Sequence, residues 1–308
     1  MSDSIFLADG ERGRDDELQR DDKRRRDDER RRGHVSPRGE VGTAMVVRPT
    51  EHARGPWDPR ALHGGAPAAL ITSAFERMEP GAELRIARLG FQFLRPVPLA
   101  PLELSTRIVR PGRRVQELVG ELIARGGPAA AGSGKAEVVC RASALRVREI
   151  PPDVPSSPAP DEQAAARLPG PDTAAEVPFA LNHSTGPSFA MSGMEMRWLD
   201  DPHALGPKRV WMRLRHPLLP GLQATPLARL AATADFGNGV SAALPFERFL
   251  FINADLTIQL QRPPRGEWIG LDARTLLHSG GTGLAESVLH DLDGPVGRAF
   301  QTLVVEPR

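Results

Sequence analysis

Residues 225–240 read TPLARLAATADFGNGV, and residues 249–271 read FLFINADLTIQLQRPPRGEWIGL. In the first stretch Thr225 is a helix N-cap and Pro226 suits the first helical position. Leu227, Leu230, Ala231 and Ala234 then fall on one helical face. Asp235 ends the run, and Gly237 and Gly239 are expected to stop the helix. In the second stretch Leu256, Ile258 and Leu260 alternate with Thr257, Gln259 and Gln261, the period of a strand with one polar face. The strand is predicted over Phe249–Gln261. Further strands are predicted over Trp268–Leu277, Leu284–Leu292 and Val296–Val305, and one ahead of the helix over Lys208–Arg215.

The first half repeats this order. A strand at AMVV is followed by a helix over Leu62–Met78, led in by His63-Gly64-Gly65, with Pro67 in its first turn. Strands are predicted over Leu84–Leu94, Leu102–Arg110, Val115–Ala124 and Lys135–Val147, with turns at Pro111-Gly112 and Gly126-Gly127-Pro128. The halves can be aligned on Pro67 and Pro226, on Arg95-Pro96 and Arg262-Pro263, or on Gly127-Pro128 and Gly294-Pro295. Those anchors set Asp235 opposite Glu76, Asn253 opposite Ile86 and Gln301 opposite Gly134. An Asp, an Asn and a Gln kept in one copy only imply one working site rather than two. Each unit is an antiparallel sheet wrapped around an apolar helix, an α+β arrangement, and two units can join edge to edge.

Between and around the units, composition changes. Residues 1–40 carry the run ERGRDDELQRDDKRRRDDERRRG, too polar to fold on its own, and are read as a charged, disordered tail. The interleaved acids cancel the field that a nucleic-acid arm would need. The N-terminal unit is placed at 41–149, a Pro-rich linker at 150–178 and the C-terminal unit at 179–308. Of 308 residues, 40 are Lys or Arg and 39 are Asp or Glu, so bulk charge does not point to nucleic acid. No run reaches a membrane-spanning length, and the N-terminus lacks the apolar segment of a signal peptide. Cys140 is the one cysteine and lies in an apolar strand, a core residue in a chain expected to be cytoplasmic.

The helix followed by ADFGNG, the INADLTIQLQRPPRGEWIGL strand, the closing DGPVGRAFQTLVVEPR and the earlier GPWDPRALHGGAPAALI together resemble the double-hotdog acyl-CoA thioesterases, the acyl-CoA thioesterase II or TesB-like group. The resemblance runs from Val41 to Arg308. It implies a tandem (double) hotdog fold, a hydrolase of fatty acid metabolism acting on an acyl-CoA or another acyl thioester, and no cofactor or metal. It also implies a site in the C-terminal unit where an Asp, a Thr or Ser and a Gln hold a water against the thioester. Asp235 matches the Asp and Gln301 the Gln. Asn253 stands where the hydroxyl residue is expected, and its amide is able to orient water. Gly64 and Gly65, at a helix N-terminus, are placed opposite Asp235 as oxyanion donors.

Direct attack by water needs a base and donors for the oxyanion, roles that fall to Asp235 and to the glycine turn. Asp255 is a rival acid, and His63 is read as structural. Arg262, Arg274, Arg113 and Arg114 are candidates for the phosphates of CoA, and Phe91, Phe93, Trp211, Phe236 and Phe251 for the acyl pocket. A non-catalytic acyl-CoA-binding protein and a hotdog hydratase are the alternatives. The second lacks its usual His in ADFGNG. The fused pair permits either a monomer or a homo-oligomer.

Overall fold

The computed structural model describes residues 3–8, 42–78, 83–125, 136–150, 167–177 and 186–308. The whole charged run, the Gly126-Gly127-Pro128 turn, Gly134 and most of the Pro-rich linker lie outside the described residues. The N-terminal unit contains β1 (Phe6–Ala8), β2 (Gly42–Pro49), a first central helix (Gly65–Arg77), β3 (Leu84–Phe93), β4 (Leu102–Arg110), β5 (Val115–Arg125) and β6 (Ala136–Arg148). The C-terminal unit contains β7 (Ala175–Glu176), β8 (Met194–Trp198), β9 (Lys208–Leu214) and a second central helix (Pro226–Ala234). It continues with β10 (Phe249–Asn253), β11 (Asp255–Leu260), β12 (Ile269–His278), β13 (Thr282–Asp291) and β14 (Gly294–Pro307).

All the strands join one 14-stranded sheet in the order β1-β2-β4-β5-β6-β3-β11-β14-β13-β12-β9-β8-β7, with β10 also paired to β14. The seam between halves is the antiparallel pair β3–β11, which sets Phe91 opposite Leu256 and Leu89 opposite Ile258. Those apolar residues face inward and are fully or almost fully buried. Both halves therefore lose an unpaired edge to each other. The central helices are lined by Ala, Leu, Ile and Phe, and nearly every residue of each is buried. The second begins as its sequence requires, with the Thr225 hydroxyl accepting the Ala228 N–H at 3.0 Å.

Several boundaries differ from the sequence reading. Within 1–40, Phe6–Ala8 is a strand paired to β2, and Ile5 and Phe6 also bond to the carbonyls of Pro217 and Leu218. The apolar SIFLA segment supplies enough buried surface to hold it, and it ties the two units together. The end of the segment read as linker is built into the C-terminal unit. Ala175–Glu176 pairs with β8, and the indoles of Trp198 and Trp211 donate to the carbonyls of Val177 and Pro169. The long strand over Phe249–Gln261 is broken at Ala254, whose N–H bonds to Thr302. Gly237 and Gly239 do not end helical structure. A further helical turn, Gly237–Val240, follows directly, with Asp235 as the cap of the preceding helix. Gly237 is required there for space: a Cβ would stand 2.9 Å from Gln301 Oε1 and 2.7 Å from Ser287 Oγ.

Candidate active site

The central helices pack antiparallel, which brings the start of the first against the end of the second. Gly64 and Gly65 make this contact possible. A Cβ on Gly64 would lie 2.7 Å from Asp235 Oδ2, and one on Gly65 would lie 2.4 Å from the Ala232 carbonyl oxygen. The expected placement of Gly64 and Gly65 against Asp235 is thus what the chain adopts. The Gly64 N–H donates to no protein acceptor among the described residues.

Asp235 is buried, 5% exposed, yet its carboxylate borders a cavity of about 550 Å³. Oδ1 accepts from Asn253 Nδ2 at 2.9 Å, and Oδ2 lies 3.0 Å from His63 Nδ1. Asn253 reaches it from the end of β10, just before the break at Ala254. Its Nδ2 also donates to the Asp255 carbonyl at 3.3 Å. Because the amide nitrogen faces Asp235, the Asn253 side-chain oxygen is the atom left to accept a bond. Asn253 also lines the cavity.

Gln301, on β14, is 1% exposed. Its Oε1 accepts the Asn238 N–H at 2.9 Å, and its Nε2 donates to the Asp235 carbonyl at 3.0 Å, with Asp235 Oδ1 farther off at 3.5 Å. The side chain thereby joins the two helical turns and fixes where Asp235 sits. Asp235, Asn253 and Gln301 form one bonded group. Asp255 stands apart from it: its carboxylate accepts the Thr302 N–H at 2.7 Å and bridges the strand break.

His63 is more central than the sequence implied. Its ring stacks on Phe236 at 4.1 Å and lies 5.2 Å from Phe189. Nδ1 lies 3.0 Å from the Gly65 N as well as 3.0 Å from Asp235 Oδ2. With a proton on Nδ1 the imidazole donates to the carboxylate. Without it, Nδ1 accepts the Gly65 N–H. Helix packing across the two units creates this contact, so no local spacing announces it. The Phe189–Gly193 π-helical turn beneath the ring was likewise absent from the sequence reading.

The cavity walls are mainly apolar and include Trp57, Phe93, Leu250 and Ile252. Of the proposed pocket aromatics, Phe93 and Phe236 line it. Phe251 lies behind the wall, 5.9 Å from Trp57, and Phe91 and Trp211 are not among the lining residues. Arg262 is bound to Asp291 at 2.6 Å, Arg274 pairs with Glu286, and neither borders the cavity. Arg113 and Arg114 do not border it either. The arginine that does is Arg95, itself paired with Glu137 at 3.1 Å, and Arg308 sits 5.7 Å over the Trp57 ring. Cys140 is fully buried, and burial together with the nearby Asp235 carboxylate pushes its thiol up to about 12. Among the described residues no helix is long and apolar enough to cross a membrane.

Comparison with known proteins agrees with this architecture. Residues 53–147 match the acyl-CoA thioesterase N-terminal domain, and residues 153–305 match the acyl-CoA thioesterase C-terminal domain. A hot dog fold protein of unknown function from Alicyclobacillus acidocaldarius is similar over 89% of this chain and 96% of its own, with 19% identity and a TM-score of 0.61. The acyl-CoA thioesterase II TesB2 from Mycobacterium marinum is similar over 86% of this chain and 93% of its own, with 17% identity and a TM-score of 0.58. No curated protein sequence matches. The two domain matches cover most of the chain and carry the assignment: it belongs to the acyl-CoA thioesterase family and is a thioester hydrolase of tandem hotdog fold.

Proposed function

We propose that the protein hydrolyses acyl-CoA by direct attack of water, with Asp235 as the general base. The carrying observation is that the Asp235 carboxylate is held within 3.0 Å by His63 from one unit and Asn253 from the other, beside a cavity of about 550 Å³. A water in front of this pair donates one hydrogen to Asp235 and the other to Asn253 Oδ1. Its oxygen is then aimed at a thioester carbonyl lying toward the glycine turn.

The step balances without a covalent enzyme intermediate. The water oxygen bonds the carbonyl carbon as its proton passes to Asp235. The carbonyl oxygen, now negative, takes the Gly64 N–H at the positive end of the first central helix. When the C–S bond breaks, the proton on Asp235 goes to the departing thiolate. A proton on His63 Nδ1 would hold Asp235 Oδ2 and release the Gly65 N–H for the same oxyanion. Gln301 touches none of the reacting atoms and serves as a positioning residue. The acyl chain lies along Trp57, Phe93 and Ile252, while Arg95 and Arg308 meet the phosphates of CoA at the mouth. With its one cysteine buried, the enzyme suits the reducing cytoplasm.

Purified protein incubated with acyl-CoAs of graded length is expected to release free thiol. Asp235→Asn keeps the shape of the side chain but removes the base, and should lower kcat by about 10²–10⁴-fold while the fold persists. Undiminished thiol release from that variant would sink the mechanism. Tight acyl-CoA binding by the wild type without thiol release would favour the non-catalytic alternative.

A further inference from the structure

The hydrolytic step leaves one basic atom of the cavity without a task. The His63 side chain is 11% exposed and borders the cavity. Its Nδ1 is taken up by Asp235 Oδ2 and the Gly65 N, each at 3.0 Å. Its Nε2 has no partner among the described residues and is not closed off from solvent. The ring is held between Phe236, stacked at 4.1 Å, and Phe189 at 5.2 Å, which fixes its direction. No residue of ADFGNG is a His. Helix packing brings one from the other unit to the acid that ends the second central helix.

In the tautomer with its proton on Nδ1, the imidazole donates to Asp235 and carries its lone pair on Nε2. A carboxylate so placed stabilises the imidazolium that forms when Nε2 takes a proton. The glycine turn draws the thioester oxygen. An N–H donor on that oxygen also stabilises the enolate left when a proton leaves the neighbouring carbon, Cα. Cα lies one bond from the carbonyl carbon, on the side of the apolar walls. A base and an enolate donor beside Cα suit proton removal there, a reaction that hydrolysis does not use.

We propose that the same site adds and removes water across the Cα–Cβ bond of an acyl thioester, interconverting 2-enoyl and 3-hydroxyacyl forms with His63 Nε2 as the base. The proposal rests on the reading above that a thioester binds with its oxygen at the Gly64 N–H. In the direction of removal, Nε2 takes a proton from Cα. The C–H electron pair moves onto the carbonyl oxygen, which accepts the Gly64 N–H. That pair returns as the Cα–Cβ double bond while the Cβ–O bond breaks. The leaving hydroxide takes the proton back from Nε2 and departs as water, and addition is the reverse. Asp235 stays a carboxylate throughout and offsets the imidazolium charge. The imidazole–carboxylate contact, with its second nitrogen open on the substrate cavity, carries the proposal.

But-2-enoyl-CoA is the probe, incubated with the full-length protein and followed by mass spectrometry, which separates the hydrated thioester from free CoA. Butyryl-CoA, which has no double bond to hydrate, reports thiol release alone. The wild type is expected to accumulate 3-hydroxybutyryl-CoA, carrying deuterium at Cα when the solvent is heavy water. His63→Gln should lower hydration by about 10²-fold or more, and thiol release from butyryl-CoA by no more than about tenfold, because Asp235 and Asn253 remain. His63→Asn is the second variant, with melting temperatures showing which of the two keeps the fold. Cleavage of butyryl-CoA without any hydrated product overturns this proposal and leaves the thioesterase reading standing. Hydration undiminished in a folded His63 variant overturns it, and so does an equal fall in both reactions, which would make His63 a support for Asp235 alone. Hydration without thiol release upholds it and overturns the hydrolytic reading instead. Loss of both reactions in the wild type overturns both.

Discussion

Asn253 is the residue on which the site departs from the hydroxyl expected by resemblance, and its geometry says what the amide supplies. It donates to Asp235 Oδ1 at 2.9 Å, which leaves its side-chain oxygen as an acceptor on a residue that lines the cavity. Asn253→Ala removes both functions and should lower kcat by about 10²-fold, with a smaller change in KM. Asn253→Asp places a second carboxylate against the first, and repulsion should weaken folding as well as activity. Steady-state kinetics beside thermal melts separates these outcomes; an Ala variant with unchanged kcat would remove Asn253 from the mechanism. At this scale Asn253 and Gln301, which the structure bonds to Asp235, stood out because the other copy has Ile86 and Gly134 in their places, whereas Asp235, opposite Glu76, stood out by ending the apolar helix. His63 was not, since its role depends on a partner 172 positions away in sequence reached only after the helices pack. The arginines were misjudged for a related reason. Sequence marks a guanidinium but not the carboxylate that claims it, as Asp291 claims Arg262.

Helices and strands were read most accurately where one period persists. The strand over Leu102–Arg110 agrees in full with the sequence reading, and the helices differ from it only near their ends. The break at Ala254 was hidden because the apolar run at 249–252 leads straight into the alternating segment at 256–261, while the bonds that span it, the Thr302 N–H donating to Asp255 Oδ1 and the Ala254 N–H to the Thr302 carbonyl, come from another strand. The short strand β8 and the π-helical turn before it follow a Pro- and Ser-rich composition that gives no periodic signal. How closely the central helices approach can be tested at Gly65. An added methyl there would stand 2.4 Å from the Ala232 carbonyl, a backbone atom that cannot rotate aside. Gly65→Ala should therefore part the helices and cost about 2 kcal/mol, a fall in melting temperature of roughly 5 °C. Gly170→Ala is the control, because nothing lies within 4 Å of its added methyl and its φ of −62° suits alanine. Equal melting temperatures for the two variants would show that the helices have room to spare.

One sheet runs through both units, and its seam sets the first helix's glycine turn against the second unit's acid. The duplication was visible in sequence, but the segment before the charged run was not expected to bond to both halves. A molecule joined in this way is expected to unfold as one, so a buried titratable group in one unit should affect stability of the whole. His290, on β13, is such a group. It is 2% exposed, its Nδ1 has no partner among the described residues, and burial lowers it from 6.5 to about 4, against a smaller opposing pull from Asp291. The unfolded chain takes up a proton near pH 6.5, whereas the folded chain resists until about pH 4. Its contribution to stability is therefore complete above 6.5 and lost as pH falls through this window. At 1.36 kcal/mol per pKa unit the loss is about 3 kcal/mol. The depressed carboxylates of Asp200 and Asp291 act lower, releasing their stabilisation only as they protonate below the ordinary range. Urea midpoints of the wild type should fall steadily between pH 7 and pH 4.5, and those of His290→Asn should fall much less. Parallel slopes in the two proteins would mean that His290 gains its proton without opening the fold, and that acid lability originates in another group.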